Sequence, residues 1–336
     1  MNFPSRIGIT MGDPSGIGPE IICKALRECT GPERRSTVVF GNRAILERAN
    51  ELVGAGLAFA DDRVGKGEAQ SLPGEAVPIV DIPIPAGHGA VKDGTITAAG
   101  GACAYAYIAA AVTAALSGHI AVIVTAPLNK AALHQAGYNF DGHTELLAHL
   151  TGVKSSFMLL ASEALSTLHV STHVSLAGAV HRASTDRVLA TIRQGYAHLR
   201  RLGLAKPRLA VAGLNPHSGE GGLFGGEEIE QIIPAIEAAR AEGMDVTGPV
   251  PGDTVFYRAS RGEFDLVIAQ YHDQGHIPTK LIAFDTTVNV TLGLPILRTS
   301  VDHGTAFDIA WRGVANHVNM QAAMAYARRL AAVQVA

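Results

Sequence analysis

Short apolar runs recur along the chain, and each gives way to a turn rich in Gly, Pro, Asn or His: IGIT at 7–10, STVVFG at 36–41, AVIVTA at 121–126, RLAVAGL at 208–214 and DLVIAQY at 265–271. Most are followed by segments with helical spacing. Runs that stay apolar at successive positions suit strands of a parallel sheet covered by helices on both faces. The alternation of strand and helix therefore predicts a doubly wound α/β architecture, in which ligands bind at the carboxyl ends of the strands. The strand-exit loops are where chemistry is expected.

One stretch tests this pattern. No Asp, Glu, Lys or Arg occurs between Asp93 and Lys130, a run long enough to raise a membrane-spanning reading. It is rich in Ala, Gly and Thr, and Ser117-Gly118-His119 divides it into a helix-like part and the strand-like AVIVTAP. A buried helix followed by a buried strand is the expectation. The opening MNFPSRIGIT lacks the regions of a signal peptide and reads as a first strand. Residues 60–95 are rich in Gly and Pro and weakly patterned, which predicts loops or short strands.

Composition narrows the class. With 336 residues, 47% of them hydrophobic and 17% charged, the chain fits two domains or one large α/β unit rather than a disordered segment. A formal charge of −3 with no Lys/Arg block argues against nucleic acid as a partner. Cys23, Cys29 and Cys103 form no C-x-x-C pair, which points away from a disulfide framework or a thiolate metal site and towards a reducing cytoplasm. No membrane partner is expected.

The first strand exits into Met11-Gly12-Asp13-Pro14-Ser15-Gly16-Ile17-Gly18-Pro19-Glu20. Its glycines allow a tight turn, Pro19 suits the first turn of a helix, and the helix start behind it can receive an anion or cofactor. It matches neither G-x-G-x-x-G nor the P-loop pattern, so a structural turn is an equal reading, and Asp13 is the residue that favours a functional one. After AVIVTA, the segment Asp141-Gly142-His143-Thr144-Glu145 opens a helical pattern. His143 and Thr144 there either bind a polar ligand or serve a helix start.

Three histidine loops are more informative, because each follows an apolar strand: TLHVSTHVSL with His173, VAGLNPHSGEGG with His217 and IAQYHDQGHIP with His272. Imidazole is a common transition-metal ligand, and three neutral rings leave positions open for substrate oxygens. Such an ion lowers a hydroxyl pKa and polarises a neighbouring carbonyl. The three are far apart among 14 histidines and there is no H-E-x-x-H spacing. His169 is the alternative to His173 if its stretch is helical; LHVST reads as a strand, which favours His173. Further on, Lys280 and Arg298 are candidates for holding phosphate or carboxylate, Arg as a bidentate fork and Lys as a point charge.

Taken in order, MGDPSGIGPEI, TAPLNK, DGHTELLA, GLNPHSGEGG, YHDQGHIPTK, VNVTLGLP and RTSVDHGTAFDIA resemble the 4-hydroxythreonine-4-phosphate dehydrogenase family nearly end to end. The resemblance implies a homodimer of two-domain α/β/α subunits built like isocitrate and isopropylmalate dehydrogenases, with a shared active site between domains at the subunit interface. The first domain would comprise 1–127 plus 283–336 and carry the cofactor loop, and the second would comprise 128–282 with the metal and dimer contacts. By motif, His173, His217 and His272 are the implied metal ligands, two from one subunit and one from its partner. His143, Thr144, Lys280, Asn289 and Arg298 are the implied substrate contacts.

HGTAFDIA is similar to the adenosine loop HGSAPDIAG of β-decarboxylating dehydrogenases, which implies NAD, with NADP as the alternative, near His303, Gly304 and Asp308. The implied ion is divalent, with Zn favoured over Mg or Co. The implied reaction is oxidation of the C3 hydroxyl of a small 4-phosphorylated hydroxy acid, followed by decarboxylation, with Asp253, Asp273 and Lys280 as candidate bases. GHIPTK after YHDQ and the ending HGTAFDIAW look more like the branch acting on D-threonate or D-erythronate 4-phosphate. Relatives acting on a terephthalate cis-dihydrodiol lack the His-Thr of DGHTE and the Arg of LRTS, both present here. A non-catalytic metabolite-binding homologue is the remaining alternative.

Overall fold

A computed structural model describes residues 6–62 and 75–333. Of the strand expected over the opening ten residues, Ile7–Thr10 is a strand and 1–5 lie outside the described residues, as do 63–74 of the weakly patterned stretch. Among the described residues the strands are β1 (Ile7–Thr10), β2 (Thr37–Gly41), β3 (Phe59–Asp61), β4 (Val77–Asp81), β5 (Val122–Thr125), β6 (Phe157–Ala161), β7 (Ser166–His169), β8 (Arg208–Ala212), β9 (Asp245–Val250), β10 (Leu266–Ala269), β11 (Val288–Leu292) and β12 (Leu297–Ser300). All five apolar runs are strands. The chain divides into two compact α/β units, Met1–Ser156 with Leu294–Ala336, and Phe157–Gly293.

In the first unit the strand order is β3-β4-β2-β1-β5-β12, all parallel. The charge-free stretch is the helix Ala98–Leu116, which packs on β1, β2 and β5. It is long and apolar enough to cross a membrane, yet Ala102, Cys103, Tyr107, Ile108 and Ala111 are fully buried inside the unit. Gly101 allows the helix Lys130–Gln135 to approach closely, since a Cβ there would lie 2.0 Å from the carbonyl oxygen of Ala132. That helix and His143–Thr151 both pack on Ala98–Leu116, which places residues 128–156 with the first unit, where the sequence reading had drawn them into the second.

In the second unit the order is β11-β6-β7-β10-β8-β9. β7, β10, β8 and β9 run parallel, whereas β6 is antiparallel to both β7 and β11. The all-parallel expectation fails here for a simple reason. Only residues 162–165 join β6 to β7, and a parallel pair needs a crossover of about a dozen residues. Ser162 Oγ closes this turn by donating to the Leu165 carbonyl at 2.9 Å. The pairing of β11 with β6 also keeps residues 283–293 in this unit rather than the first.

Both faces of β10 are covered. Val267 and Ala269 join a core with Ala210, Ala212, Val255, Phe256 and Ala259, the last three from the helix Gly252–Ser260. Leu266 and Ile268 face Gly195 of the helix Thr185–Arg201, where a Cβ would lie 2.5 Å from the Leu266 side chain. This is why the strand is apolar at every position.

Candidate functional site

β7, β10 and β8 are adjacent and parallel, so their carboxyl ends lie side by side. The exit of β7 leads to His173, that of β8 to His217, and that of β10 to His272, the first residue of the helix His272–Ala283. Side chains stitch the three exits together. Ser171 Oγ donates to the carbonyl oxygen of Gln270 at 2.9 Å, and Gln270 Nε2 donates to that of Ala212 at 2.8 Å. Gln274 Oε1 accepts from the Gln270 amide at 2.7 Å, while its Nε2 donates to the Gly213 carbonyl at 2.7 Å. Backbone groups that leave the sheet ladder are thus paired again.

His217 lies in a turn, Pro216–Gly222, whose backbone is left-handed from His217 to Gly221, with φ of 51, 52, 80, 45 and 66°. For His217, Ser218 and Glu220 this conformation costs roughly 1–2 kcal/mol each, and strain of that kind persists only where neighbours impose it. Glu228, only 1% exposed, is the anchor. Its Oε1 accepts from the amides of Leu214 and Asn215 at 2.8 and 2.7 Å, and its Oε2 accepts from Asn215 Nδ2 at 2.9 Å.

His272 Nδ1 donates to Asp273 Oδ1 at 2.6 Å. The ring proton is therefore on Nδ1 and Nε2 is left as a lone pair, the orientation a carboxylate gives to a metal-binding imidazole. The ring centroids of His173 and His272 are 6.1 Å apart. Two imidazoles sharing one ion at about 2.0–2.1 Å would have centroids roughly 5–6 Å apart, so the two rings are neighbours at a spacing slightly wider than that of a shared ion. Among the described residues no group of three or more His, Cys, Asp or Glu gathers into a metal-sized cluster, and His217 does not join the pair.

A cavity of about 610 Å³ is lined by His217, Asp253, Tyr271 and Asp273, with Phe256, Ile277 and Leu281 as its apolar wall. Asp253 stands in the first turn of Gly252–Ser260. Asp273 is already engaged by His272. Lys280 sits further along its helix, with Nζ 5.8 Å from the centre of the Phe284 ring. Asn289, on β11, has a buried Oδ1 without a hydrogen-bond partner.

The first unit holds the other predicted residues. Arg298, on β12 and 3% exposed, donates through Nε and Nη2 to Thr125 Oγ1 on the neighbouring β5, at 3.1 and 2.6 Å. Burial pushes its pKa down to about 9. His143 opens the helix His143–Thr151, whose N-cap is Gly142 and offers no side-chain cap, and Thr144 follows in the first turn. The His143 ring hydrogen-bonds to the Ala126 backbone, its Nε2 is sealed from solvent with no partner, and burial together with the Arg298 charge holds its pKa well below the usual range. A buried guanidinium and an uncapped helix start are each receptive to an anion, whereas the neutral His143 ring, its proton engaged by the Ala126 backbone, offers Nε2 as an acceptor.

The glycine-rich exit of β1 supports a second loop of the same unit. Ile17 N donates to the Thr305 carbonyl and Trp311 Nε1 to that of Pro14, both at 3.0 Å, and the Trp311 amide donates to the buried Glu20. Asp13 is fully buried, and burial raises its pKa to about 6 against the lowering effect of Ser15, whose amide donates to Oδ1 at 2.9 Å. The supported loop carries His303, Gly304 and Asp308, all exposed. A Cβ on Gly304 would meet nothing within 4 Å, so the fold leaves space there that a ligand can use.

A family model described as pyridoxal phosphate biosynthetic protein PdxA matches residues 33–327. The chain belongs to the PdxA family. This PdxA chain is 49% identical to the D-threonate 4-phosphate dehydrogenase of Salmonella typhimurium, over 97% of its own length and 98% of the relative's. It is 47% identical to the 4-hydroxythreonine-4-phosphate dehydrogenase of Beijerinckia indica, over 96% and 94%. Among solved structures, the 4-hydroxythreonine-4-phosphate dehydrogenase of Klebsiella pneumoniae superposes with a TM-score of 0.87 at 44% identity, covering 98% of each chain. These relatives carry dehydrogenase names, and this PdxA chain is an enzyme of that family.

Sequence reasoning did not find Ser171, Gln270, Gln274 or Glu228, because the partners they join become neighbours only through the strand order. The competing ligand His169 ends β7 and is 1% exposed, with Nδ1 donating to the Met158 carbonyl at 2.9 Å and Nε2 3.1 Å from His276. Both its nitrogens are occupied inside the protein. The strand reading that favoured His173 accords with this.

Proposed function

We propose that the chain is a metal-dependent, NAD-linked dehydrogenase of a small 4-phosphorylated hydroxy acid, working as a cytoplasmic homodimer. The observation that carries this is the alignment of His173, His217 and His272 on the exits of three neighbouring parallel strands, stitched by Ser171, Gln270 and Gln274. His173, His217 and His272 would hold the ion, with Zn the favoured metal over Mg or Co, and a third ligand from the partner subunit answers the absence of a three-residue cluster among the described residues of one chain. When bound, a divalent metal supplies Lewis acidity at the substrate hydroxyl. NAD, with NADP as the alternative, would be the hydride acceptor.

The chain's own residues have separate tasks. Arg298 and the helix start at Thr144 are receptive to the substrate's phosphate, His143 would accept from a substrate hydroxyl, and Lys280 and Asn289 are further candidate substrate contacts. Buried Arg298 suits an anionic group, and its presence together with His143 and Thr144, the residues in which relatives acting on the aromatic diol differ, supports a phosphate-bearing substrate. His303, Gly304 and Asp308 would receive the cofactor's adenosine. Of the three candidate bases, Asp273 is held by His272, and Lys280 is the second choice. Asp253 lines the cavity beside His217 and its carboxylate has no hydrogen bond among the described residues, so it best suits removal of the C3 hydroxyl proton. Loss of that proton and of the C3 hydride gives a β-keto acid, which releases carbon dioxide and takes up a proton at C2.

The helix faces beside the histidines support the dimer. Tyr257, Ile277, Leu281 and Phe284 are 69, 57, 82 and 70% exposed on or next to the helices Gly252–Ser260 and His272–Ala283, an apolar surface of the sort a second copy covers.

The test is reduction of NAD followed at the nicotinamide absorbance, with D-threonate 4-phosphate, D-erythronate 4-phosphate and 4-hydroxythreonine 4-phosphate offered side by side. The relatives' names and the YHDQGHIPTK motif favour D-threonate 4-phosphate as the best substrate. Absence of turnover with all three in the presence of Zn, Co or Mg would remove the catalytic reading.

A further inference from the structure

Behind His272 stand two imidazoles that the catalytic reading does not use. His169 Nδ1 donates to the Met158 carbonyl at 2.9 Å, so that nitrogen carries the ring proton. Burial, with His276 beside it, keeps this ring neutral by pushing its pKa down to about 3, which leaves Nε2 as an acceptor. His276 Nδ1 lies 3.1 Å from that Nε2 and 2.9 Å from the carbonyl oxygen of His272. Both of those partners only accept, so His276 must hold its proton on Nδ1 and share it between them. The tautomers of both rings follow from the fixed carbonyl of Met158.

The stacking is equally specific. His276 is one helical turn after His272, and the two rings lie 3.6 Å apart at 12°. Gly275 makes the arrangement sterically feasible, because a Cβ there would lie 2.3 Å from His169 Nε2. An imidazole turns about its last side-chain torsion in a broad, two-fold well, so a ring held only by packing keeps that freedom. Here the shared proton of Nδ1 removes it. An apolar ring in the same space would fill the volume without desolvating polar nitrogens, so the buried pair has a cost that packing alone does not justify.

We propose that His169 and His276 are positioning residues for His272, a hydrogen-bonded backing that fixes the plane of its ring so that Nε2 is presented to a divalent cation. Asp273 holds the ring from its Nδ1 edge, and His276 holds it from its face. In this arrangement His169 and His276 would act on the cation only through His272. The inference rests on the reading of His272 as a metal ligand.

Cobalt(II) is the probe, titrated into metal-free protein and followed by its visible absorption and by calorimetry. His276→Ala is expected to weaken cobalt binding 10–100-fold, the usual effect of removing a group that orients a ligand, and to shift the absorption band. His276→Phe, which keeps the stack, and His276→Asn, which keeps a donor near the place of Nδ1, are each expected to restore part of the loss. Cobalt affinity within twofold of wild type and an unchanged band in a folded His276→Ala protein would overturn the proposal. His272→Ala separates the two levels: if it abolishes binding while His276→Ala does not, the positioning role alone falls; if it leaves binding intact, the metal reading falls and the positioning role with it. Should His276→Ala not fold, histidine-labelled wild-type protein gives the answer by nitrogen–proton correlation at neutral pH. Both rings are expected as Nδ1–H tautomers, and Nε2–H or a doubly protonated ring at either position overturns the proposal.

Discussion

Gln274 reaches across from the start of its helix to the exit of β8, where its amide nitrogen donates to the carbonyl oxygen of Gly213 at 2.7 Å. The other end of the same amide accepts from Gln270 at 2.7 Å. One side chain thus sets the distance between the loop of His217 and that of His272. Gln274→Leu leaves two backbone groups without partners, and the expected loss is about 2–4 kcal/mol in stability, read from urea denaturation. Divalent-metal affinity is expected to fall with it. A change below about 0.5 kcal/mol would mean that water replaces both bonds at little cost.

Arg298 carries the expectation for the phosphate. Its guanidinium is positioned on β12 by Thr125 before any ligand arrives. Arg298→Ala is expected to weaken binding of the phosphorylated substrate by roughly 10–100-fold, the size of a hydrogen bond to a charged group, with little effect on NAD. Arg298→Lys is expected to recover only part, since an ammonium cannot fork. Equal losses for substrate and NAD in calorimetry would point to general damage instead.

Asp13 predicts a pH dependence of stability. Its carboxyl titrates at about 6 in the folded protein against an ordinary 3.8, because burial disfavours the charge. Between those two values the unfolded chain has already lost this proton while the folded chain keeps it. Stability therefore falls as pH rises through the window and stays lower above it, by about 3 kcal/mol for this group. Asp13→Asn removes the titration, so it is expected to raise the denaturation midpoint at pH 8 relative to wild type and to change it least near pH 4. An equal shift at both pH values would show that another group governs.

Metal removal is the fourth expectation. Dialysis against a chelator should abolish NAD reduction while leaving the far-ultraviolet circular dichroism unchanged, since the three histidines sit at strand exits and a helix start rather than in the core. Added Zn or Co should restore it. His217→Ala is expected to lose divalent-metal affinity, and full retention would reject the three-histidine set.

The strands were legible because β1, β2, β5, β8 and β10 are apolar at nearly every position, and a chain writes such runs only where both faces are covered. The antiparallel β6 was not legible as such, since FMLLA is as apolar as parallel strands such as β5 and β10 and its direction depends on the brevity of 162–165. For the site, the strand-exit histidines could be named in advance. Glu228 could not, because GGEEIEQ looks like any solvated acidic turn until Leu214 and Asn215 fold back onto it. His276 was read only as part of a motif, and its partner His169 comes from a strand more than a hundred residues earlier. Residues that act through another residue leave little trace in one dimension.

The helix Ala98–Leu116 carries a consequence for how the protein is made. Its neighbours β1 and β2 precede it, but β5 and the helices Lys130–Gln135 and His143–Thr151 follow it. A chain still on the ribosome that has emerged only as far as Leu116 therefore displays a long uncharged helix with most of its covering still unsynthesised. During that interval it presents to chaperones and to the membrane-targeting machinery the same face that they are built to bind. The completed fold withdraws that face for good.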